Sequence, residues 1–515
     1  MLYVPLYIEI LRSRPVLLFW SAALAQAAVW IAVPMLFYAA PPGDLAQALA
    51  IGHEFQFDSE VGPPLAFWLA EIAFRIGGLF GVYVLSQICV VTAYWCVFTL
   101  SSAIVGPAQA SLVVLLMVGV SVFTVPTPDF GPPILAMALW ALVLLYYWRA
   151  VVQRQDARSW YGLGIAAALL LLASEAALIY LGALVLLTAA TERGRVALRR
   201  VEPWKIAGVL VIFLFFHLVW LQGAVSPWPA TLQRLRDADS ANGNMSAWLR
   251  LLAALLLTHA GLLILAVLTS GWPRGRASPA PIVVRPKLDP FVFAFIKVLL
   301  LVPALAATIL AVLLGRPSPI GGAAPLLVLS GLALVIAAGD TIEIFHQRIV
   351  GYAWAGLLLV PALFVPIVIL ALPWTVATDL KVAQPATAMG RFFGDSFERR
   401  TGQPLAVVTG DPATAALIAL AAPSRPSVFF DADPARSPWV TQADIRKKGA
   451  VVVWLTADTT PTPPPDIKAT FPDLIPEVPR TFDRPVQGRL PLLRIGWGVI
   501  RPQSAPAGSA AATPH

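Results

Sequence analysis

The stretch Val298-Leu299-Leu300-Leu301-Val302-Pro303-Ala304-Leu305-Ala306-Ala307-Thr308-Ile309-Leu310-Ala311-Val312-Leu313-Leu314 decides what kind of protein this is. It carries no charge, and its apolar residues do not alternate with polar ones. A lipid-facing barrel strand needs that alternation, because every second side chain meets a polar lumen. An unbroken apolar run suits a helix, which at 1.5 Å per residue needs about 20 residues to cross a hydrocarbon core of ~30 Å. Ile165 to Leu172 reads in the same way.

Such runs recur along the whole first part of the chain. Of 515 residues, 58% are hydrophobic and only 12% charged, with a mean hydropathy of +0.77; an ordinary soluble domain has about 45–50% apolar and about 25% charged residues. The fold class expected is mainly α, a polytopic transmembrane helical bundle. Spans are expected near 15–38, 80–104, 108–127, 131–149, 160–173, 176–191, 204–221, 248–270, 290–314, 321–339 and 350–373, about eleven in all. Only Ser174-Glu175 separates the fifth from the sixth. Counting them as two puts the basic clusters on one side: Arg12 and Arg14; Arg149, Arg154 and Arg158; Arg193, Arg195, Arg199, Arg200 and Lys205; Arg274, Arg276, Arg285 and Lys287. By the positive-inside rule that side is cytoplasmic, with the N-terminus in and the C-terminus out. The net charge of +8 is thereby explained by topology, and no nucleic-acid partner is inferred. Cys89 and Cys96 share one apolar run, which gives no disulfide framework. The first run, Pro15 to Tyr38, reads as an uncleaved span.

The domain organisation expected is a membrane part over 1–374 with an external loop over 39–79, a soluble α/β domain over 375–503 and a disordered tail over 504–515. After Trp374 the chain becomes rich in Pro, Asp, Arg and Thr. Leu405 to Thr409, Ser427 to Phe430 and Val451 to Leu455 read as short buried strands, with helical patterns at 411–421 and 438–448 and some parallel pairing. Asp411 and Ser437 stand where helix N-caps are expected.

This topology gathers the uncommon carboxylates on the external face: Asp44, Asp58 and Glu60 in the first loop, Asp129 in the turn before the fourth span, and Glu175 in the short break. Charges close to hydrocarbon are costly and are generally kept for a task. Plainer readings stand beside that one. Asp44 follows Pro41-Pro42-Gly43 and can cap a helix over Leu45 to Ile51; Asp129 can cap its span; Asp58 and Glu60 can be solvated loop charges. Between Pro64 and Gly78, Glu71 and Arg75 stand i,i+4 among Phe67, Trp68 and Phe74, a pattern for a helix lying in the interface. Arg75 can pair with Glu71 or meet a phosphate, and Arg316, near the bilayer on the outside, is the best single phosphate-binding candidate. His53 and Glu54 point to different sides of a short helix, so no metal site is assigned.

The acidic first external loop, followed by Pro63-Pro64-Leu65-Ala66-Phe67-Trp68-Leu69 and a long series of spans, resembles the protein mannosyltransferase and aminoarabinose transferase superfamily. These are C-type integral-membrane glycosyltransferases of family 39. Pro128-Asp129-Phe130, Leu139-Trp140-Ala141-Leu142, Arg400-Thr401-Gly402, Ser437-Pro438-Trp439 and Arg494-Ile495-Gly496-Trp497 are similar to bacterial members. The resemblance implies an enzyme of the bacterial inner membrane, with its C-terminal domain periplasmic, that moves a hexose or pentose from a polyprenyl-phosphate donor to a glycan, lipid or protein acceptor. Membrane lipid is a further partner, and a divalent metal is allowed but not required. By motif position Asp44 becomes the general base and Asp129 the second catalytic carboxylate, with Asp58 and Glu60, just ahead of Pro63 and Pro64, holding the acceptor or a metal; by charge and location Glu175, Arg75 and Arg316 join these as substrate-binding candidates. Three positions depart from the pattern. Gly62 stands where many relatives carry His or Lys, Ser174-Glu175 where many carry Lys, and Arg316 alone precedes Pro317-Ser318-Pro319. A catalytically degenerate relative that binds lipid-linked saccharide or serves as an assembly partner is therefore the alternative. A transporter is weaker, because the chain shows neither two similar halves nor paired interrupted spans.

Overall fold

A computed structural model describes residues 13–56, 62–153, 155–224, 238–270, 282–343, 347–434, 436–457 and 459–503. By contacts the chain divides into two units, one made of the chain up to Leu36 with Ile76–Val365, the other of Phe37–Arg75 with everything from Pro366 onward.

The first unit is a bundle of apolar helices. Among the described residues, six helices are long and apolar enough to cross a membrane: Pro15–Phe37, Leu65–Val105, Pro132–Gln153, Glu202–Val219, Pro290–Leu313 and Ile349–Thr375. A seventh span arises if the bent pair Asn244–Leu257 and Ala260–Thr269 is counted as one. Shorter apolar helices Pro107–Val118, Ala157–Ala173, Ala177–Ala190 and Ala323–Ala337 occupy the other four expected positions. At ~1.5 Å per residue these fall short of a full crossing unless their flanking turns contribute. Ile165, Val185, Phe215 and Leu363 project from helix surfaces, apolar exposure that suits hydrocarbon and not water.

The helix ends sort by chemistry. Arg193 bonds Asp289, and Arg200 donates to the carbonyl of Gln155, so three of the four expected basic loops meet; Arg12, Arg154, Arg274 and Arg276 lie outside the described residues. The helices that begin there, Ala157–Ala173 and Pro290–Leu313, lead to Ser174 and Arg316 at the opposite end. There Gly322 lies against Pro133 and Gly321 against Ala176. Three of the turns expected on one face are thus gathered at one end of this bundle.

The helix Leu65–Val105 is interrupted at Gly77 and Gly78, where Gly78 takes φ +60°, a conformation costly for any residue with a Cβ. The separate helical segment expected ahead of the second span is present, and it belongs by contacts to the second unit.

That unit is built on a five-stranded sheet in the order β4-β3-β5-β7-β6, with β3 Val407–Gly410, β4 Ser427–Phe430, β5 Ala450–Leu455, β6 Ile475–Phe482 and β7 Leu493–Ile500. The small pair β1 Ile282–Val284 and β2 Thr341–Glu343 lies in the first unit. β4, β3 and β5 run parallel, as expected, while β7 and β6 add antiparallel strands that the sequence did not suggest. Phe393 and Phe397 of the helix Ala386–Thr401 pack with Val408, Val428, Val451 and Trp497 in one core cluster, and Val407, Phe429, Val452 and Trp454 belong to another. The helix Leu45–His53 contributes Ala46, Ala48, Ala50 and Ile51 to the first of these clusters. The loop between the first two expected spans is therefore an integral part of the sheet domain. Asp411 caps Pro412–Ala421 through Thr414 N, as expected. Ser437 does not cap. Its Oγ accepts from Phe430 N at 2.8 Å, and Trp439 Nε1 donates to Val428 O at 2.9 Å, which holds 437–440 against β4. The next helix starts later, at Gln442, with Thr441 and Asp444 forming a capping box.

Candidate functional site

Asp44 stands at the N-cap position of Leu45–His53, yet its carboxylate makes no capping bond. It is 76% exposed and accepts from Lys381 Nζ at 3.0 Å. Lys381 also reaches Gly43 O at 3.4 Å, and the amides of Ala39 and Ala40 donate to Val382 O. The loop carrying Asp44 is thus held by the chain that follows the last long apolar helix.

Helix 65–76, opened by the buried Pro63 and Pro64, presents Glu71 inward. This carboxylate is buried and has three cationic or protonatable partners: His53 Nδ1 at 3.2 Å, Arg75 Nε at 2.9 Å and Arg425 Nη2 at 2.8 Å. Glu71 lies ahead of the Gly77-Gly78 break and outside the expected span. Burial by itself raises its pKa, but hydrogen bonds from His53 and Arg75 and the field of Arg425 outweigh that and hold it below the usual carboxylate range. Arg75 lies over the Phe55 ring at 4.9 Å and Arg425 over Phe74 at 4.6 Å. Arg75, expected either to pair with Glu71 or to meet substrate, does pair with it. Asp58 and Glu60 lie outside the described residues.

In the first unit Asp129 is half-buried in a turn anchored from the following part of the long helix. Ser86 Oγ donates to Thr127 O, and Gln87 Nε2 donates to Thr127 Oγ1 at 3.0 Å. The helix Pro132–Trp148 is capped at Gly131, so Asp129 is not its N-cap. Glu175 and Arg316, named separately from the sequence, are brought together: Arg316 Nη1 lies 2.7 Å from both carboxylate oxygens. Tyr180 stacks on Trp140, and His217 Nδ1 bonds Leu171 O at 2.8 Å on the neighbouring helix.

Lys381 and Arg425 were not among the expected site residues. Lys381 sits in a stretch with no motif, and Arg425 in the turn Pro423-Ser424-Arg425-Pro426; neither carries a local signal of its partner. Among the described residues no group of three or more His, Cys, Asp or Glu side chains converges as a metal set.

Residues 61–220 match the family model described as dolichyl-phosphate-mannose-protein mannosyltransferase. That match covers 160 of the 515 residues. No curated protein matches it. Among solved structures it is similar to ArnT from Cupriavidus metallidurans in the apo state (14% identity, 94% of this chain and 97% of that one, TM-score 0.46). It is likewise similar to the same protein bound to undecaprenyl phosphate (13%, 94% and 97%, TM-score 0.40). The archaeal oligosaccharyltransferase AglB from Archaeoglobus fulgidus, in complex with an inhibitory peptide and a dolichol-phosphate, is similar over 81% of this chain and 64% of that one (13%, TM-score 0.39).

Proposed function

We propose that this protein transfers a sugar from a polyprenyl-phosphate donor to an acceptor hydroxyl at the periplasmic face of the bacterial inner membrane. The observation that carries this reading is the family match over 61–220, which opens at the Pro63-Pro64-Leu65 segment. In the reaction the acceptor oxygen attacks the anomeric carbon, the bond from that carbon to the phosphate oxygen breaks, and its electron pair leaves with the phosphate. The acceptor proton goes to a carboxylate. Asp44 is the residue assigned to take it: its carboxylate is exposed and is not spent on capping its helix. Asp129 is the second carboxylate, and Arg316 is assigned to the departing phosphate, where a guanidinium offers paired donors. The test is Asp44→Asn in a transfer assay with polyprenyl-linked sugars; undiminished turnover in a well-folded variant rules out the base role.

Two observations favour the alternative, a non-catalytic relative that binds lipid-linked saccharide or acts as an assembly partner. Arg316 is already occupied by Glu175, and Gly62 provides no side chain ahead of Pro63-Pro64. On that reading a strain carrying Asp44→Asn with Asp129→Asn grows like the parent, and loss of the cellular function would sink it.

A further inference from the structure

We infer that Lys381 and Arg425, both from the chain after the last long apolar helix, are positioning residues for the Asp44 loop, so that the sheet domain is part of the transfer machinery and not an appended acceptor-binding module. The inference rests on the proposed role of Asp44 for its catalytic consequence, but its structural half stands on separate contacts. Lys381 Nζ holds the Asp44 carboxylate at 3.0 Å. Arg425 holds Glu71 Oε2 at 2.8 Å, while Glu71 Oε1 faces His53 Nδ1 at 3.2 Å at the end of the helix that Asp44 begins. One end of Leu45–His53 is thus tied through Lys381, and the other through His53, Glu71 and Arg425. Between the two ties Ala46, Ala48, Ala50 and Ile51 are buried in the sheet domain's own core.

The two ties differ in kind. The Asp44 pair is solvated, so it adds little to stability, and its effect is on where one carboxylate points. The Glu71 carboxylate is buried, and one bonded by two arginines and a histidine has few alternative positions. A general base must stand within about 3 Å of the hydroxyl it serves, and displacement by an ångström is enough to cost ~100-fold in rate.

The test uses the full chain in lipid nanodiscs, with Lys381→Gln, Lys381→Arg, Arg425→Gln and, as a control in the exposed Asp444–Lys448 pair, Lys448→Gln. Two readouts are taken: amide hydrogen exchange over 45–53, and transfer kinetics with a polyprenyl-phosphate-linked sugar. Arg425→Gln is expected to accelerate exchange over 45–53 without altering β3 to β5. Lys381→Gln is expected to lower kcat about tenfold or more at unchanged donor KM, with Lys381→Arg recovering most of it. Unaltered exchange in Arg425→Gln overturns the anchoring, whether or not transfer is detected. Unaltered kcat in Lys381→Gln, where Asp44→Asn abolishes turnover, overturns the positioning while leaving the base role standing. If Asp44→Asn is itself fully active, the base role falls, and the exchange result alone decides whether the loop is anchored as stated.

Discussion

Glu71 and Arg425 are 354 positions apart in the chain and meet at 2.8 Å, the carboxylate almost wholly buried and the guanidinium about one-fifth exposed. Removing one partner of such a pair leaves the other charge poorly solvated. Glu71→Gln is expected to cost the second unit about 2 kcal/mol, less than the ~3–5 kcal/mol for a fully buried pair, because Arg425 and Arg75 retain contact with water. Thermal unfolding in detergent, read at two or more tryptophan-sensitive wavelengths, measures it; an unchanged midpoint would contradict the burial argument.

The same carboxylate sets a pH dependence. Its folded pKa lies below the ordinary value of 4.5, so the unfolded chain binds the proton more readily. The stabilisation is therefore fully present above about pH 4.5 and is lost as pH falls through the depressed folded value. Glu71→Gln should flatten that acidic part of the stability profile, and a wild-type slope that persists in the variant would assign it to other carboxylates.

Gly52 lies where the helix Leu45–His53 crosses the segment that follows Pro64. A methyl group there would stand 2.2 Å from the carbonyl oxygen of Phe67 and 3.1 Å from Glu71 Cβ. Since the obstacle is backbone, Gly52→Ala is expected to destabilise by roughly 1–3 kcal/mol despite the helix preference for alanine. Faster exchange over 45–53 would accompany the loss.

Asp44 and Asp411 each precede a helix but should behave differently. Asp411 accepts from Thr414 N at 2.9 Å and Thr414 Oγ1 at 2.6 Å, so Asp411→Ala is expected to cost about 1 kcal/mol. Asp44 makes no capping bond, and Asp44→Ala is expected to stay within about 0.5 kcal/mol of the parent. Unfolding curves for the two variants, run beside the transfer assay, separate a lost base from a lost fold.

Glu175 and Arg316 give a prediction with two signs. On the proposed function the donor phosphate and Glu175 compete for the same guanidinium. Glu175→Gln should tighten binding of a short-chain prenyl phosphate about tenfold, and Arg316→Gln should weaken it comparably. Calorimetric titration checks both, and weaker binding in Glu175→Gln would instead make Glu175 a direct contributor to the ligand site.

What could be read along the chain was whatever depends on near neighbours. Apolar runs such as Val298 to Leu314 specify helices because hydrocarbon leaves the backbone no partner but itself. The Ser174-Glu175 break, the interruption near Gly78, the Asp411 cap and the parallel strands β3 to β5 are local in the same way. β6 escaped because it is an edge strand, mostly exposed and containing Pro476 and Pro479, so it lacks a buried strand's apolar pattern. β7 escaped because Gly496 and Gly498 interrupt its apolar run. Asp44, Asp129, Glu175 and Arg316 could be named from their positions, but their partners could not. Coulomb attraction depends on distance in space, and a carboxylate at 71 carries no mark of an arginine at 425, nor one at 175 of an arginine at 316. Those pairings exist because apolar packing brings the segments together, and they decide which charges are buried with a partner, like Glu71, and which, like Asp44 beside Lys381, keep their pairing in solvent.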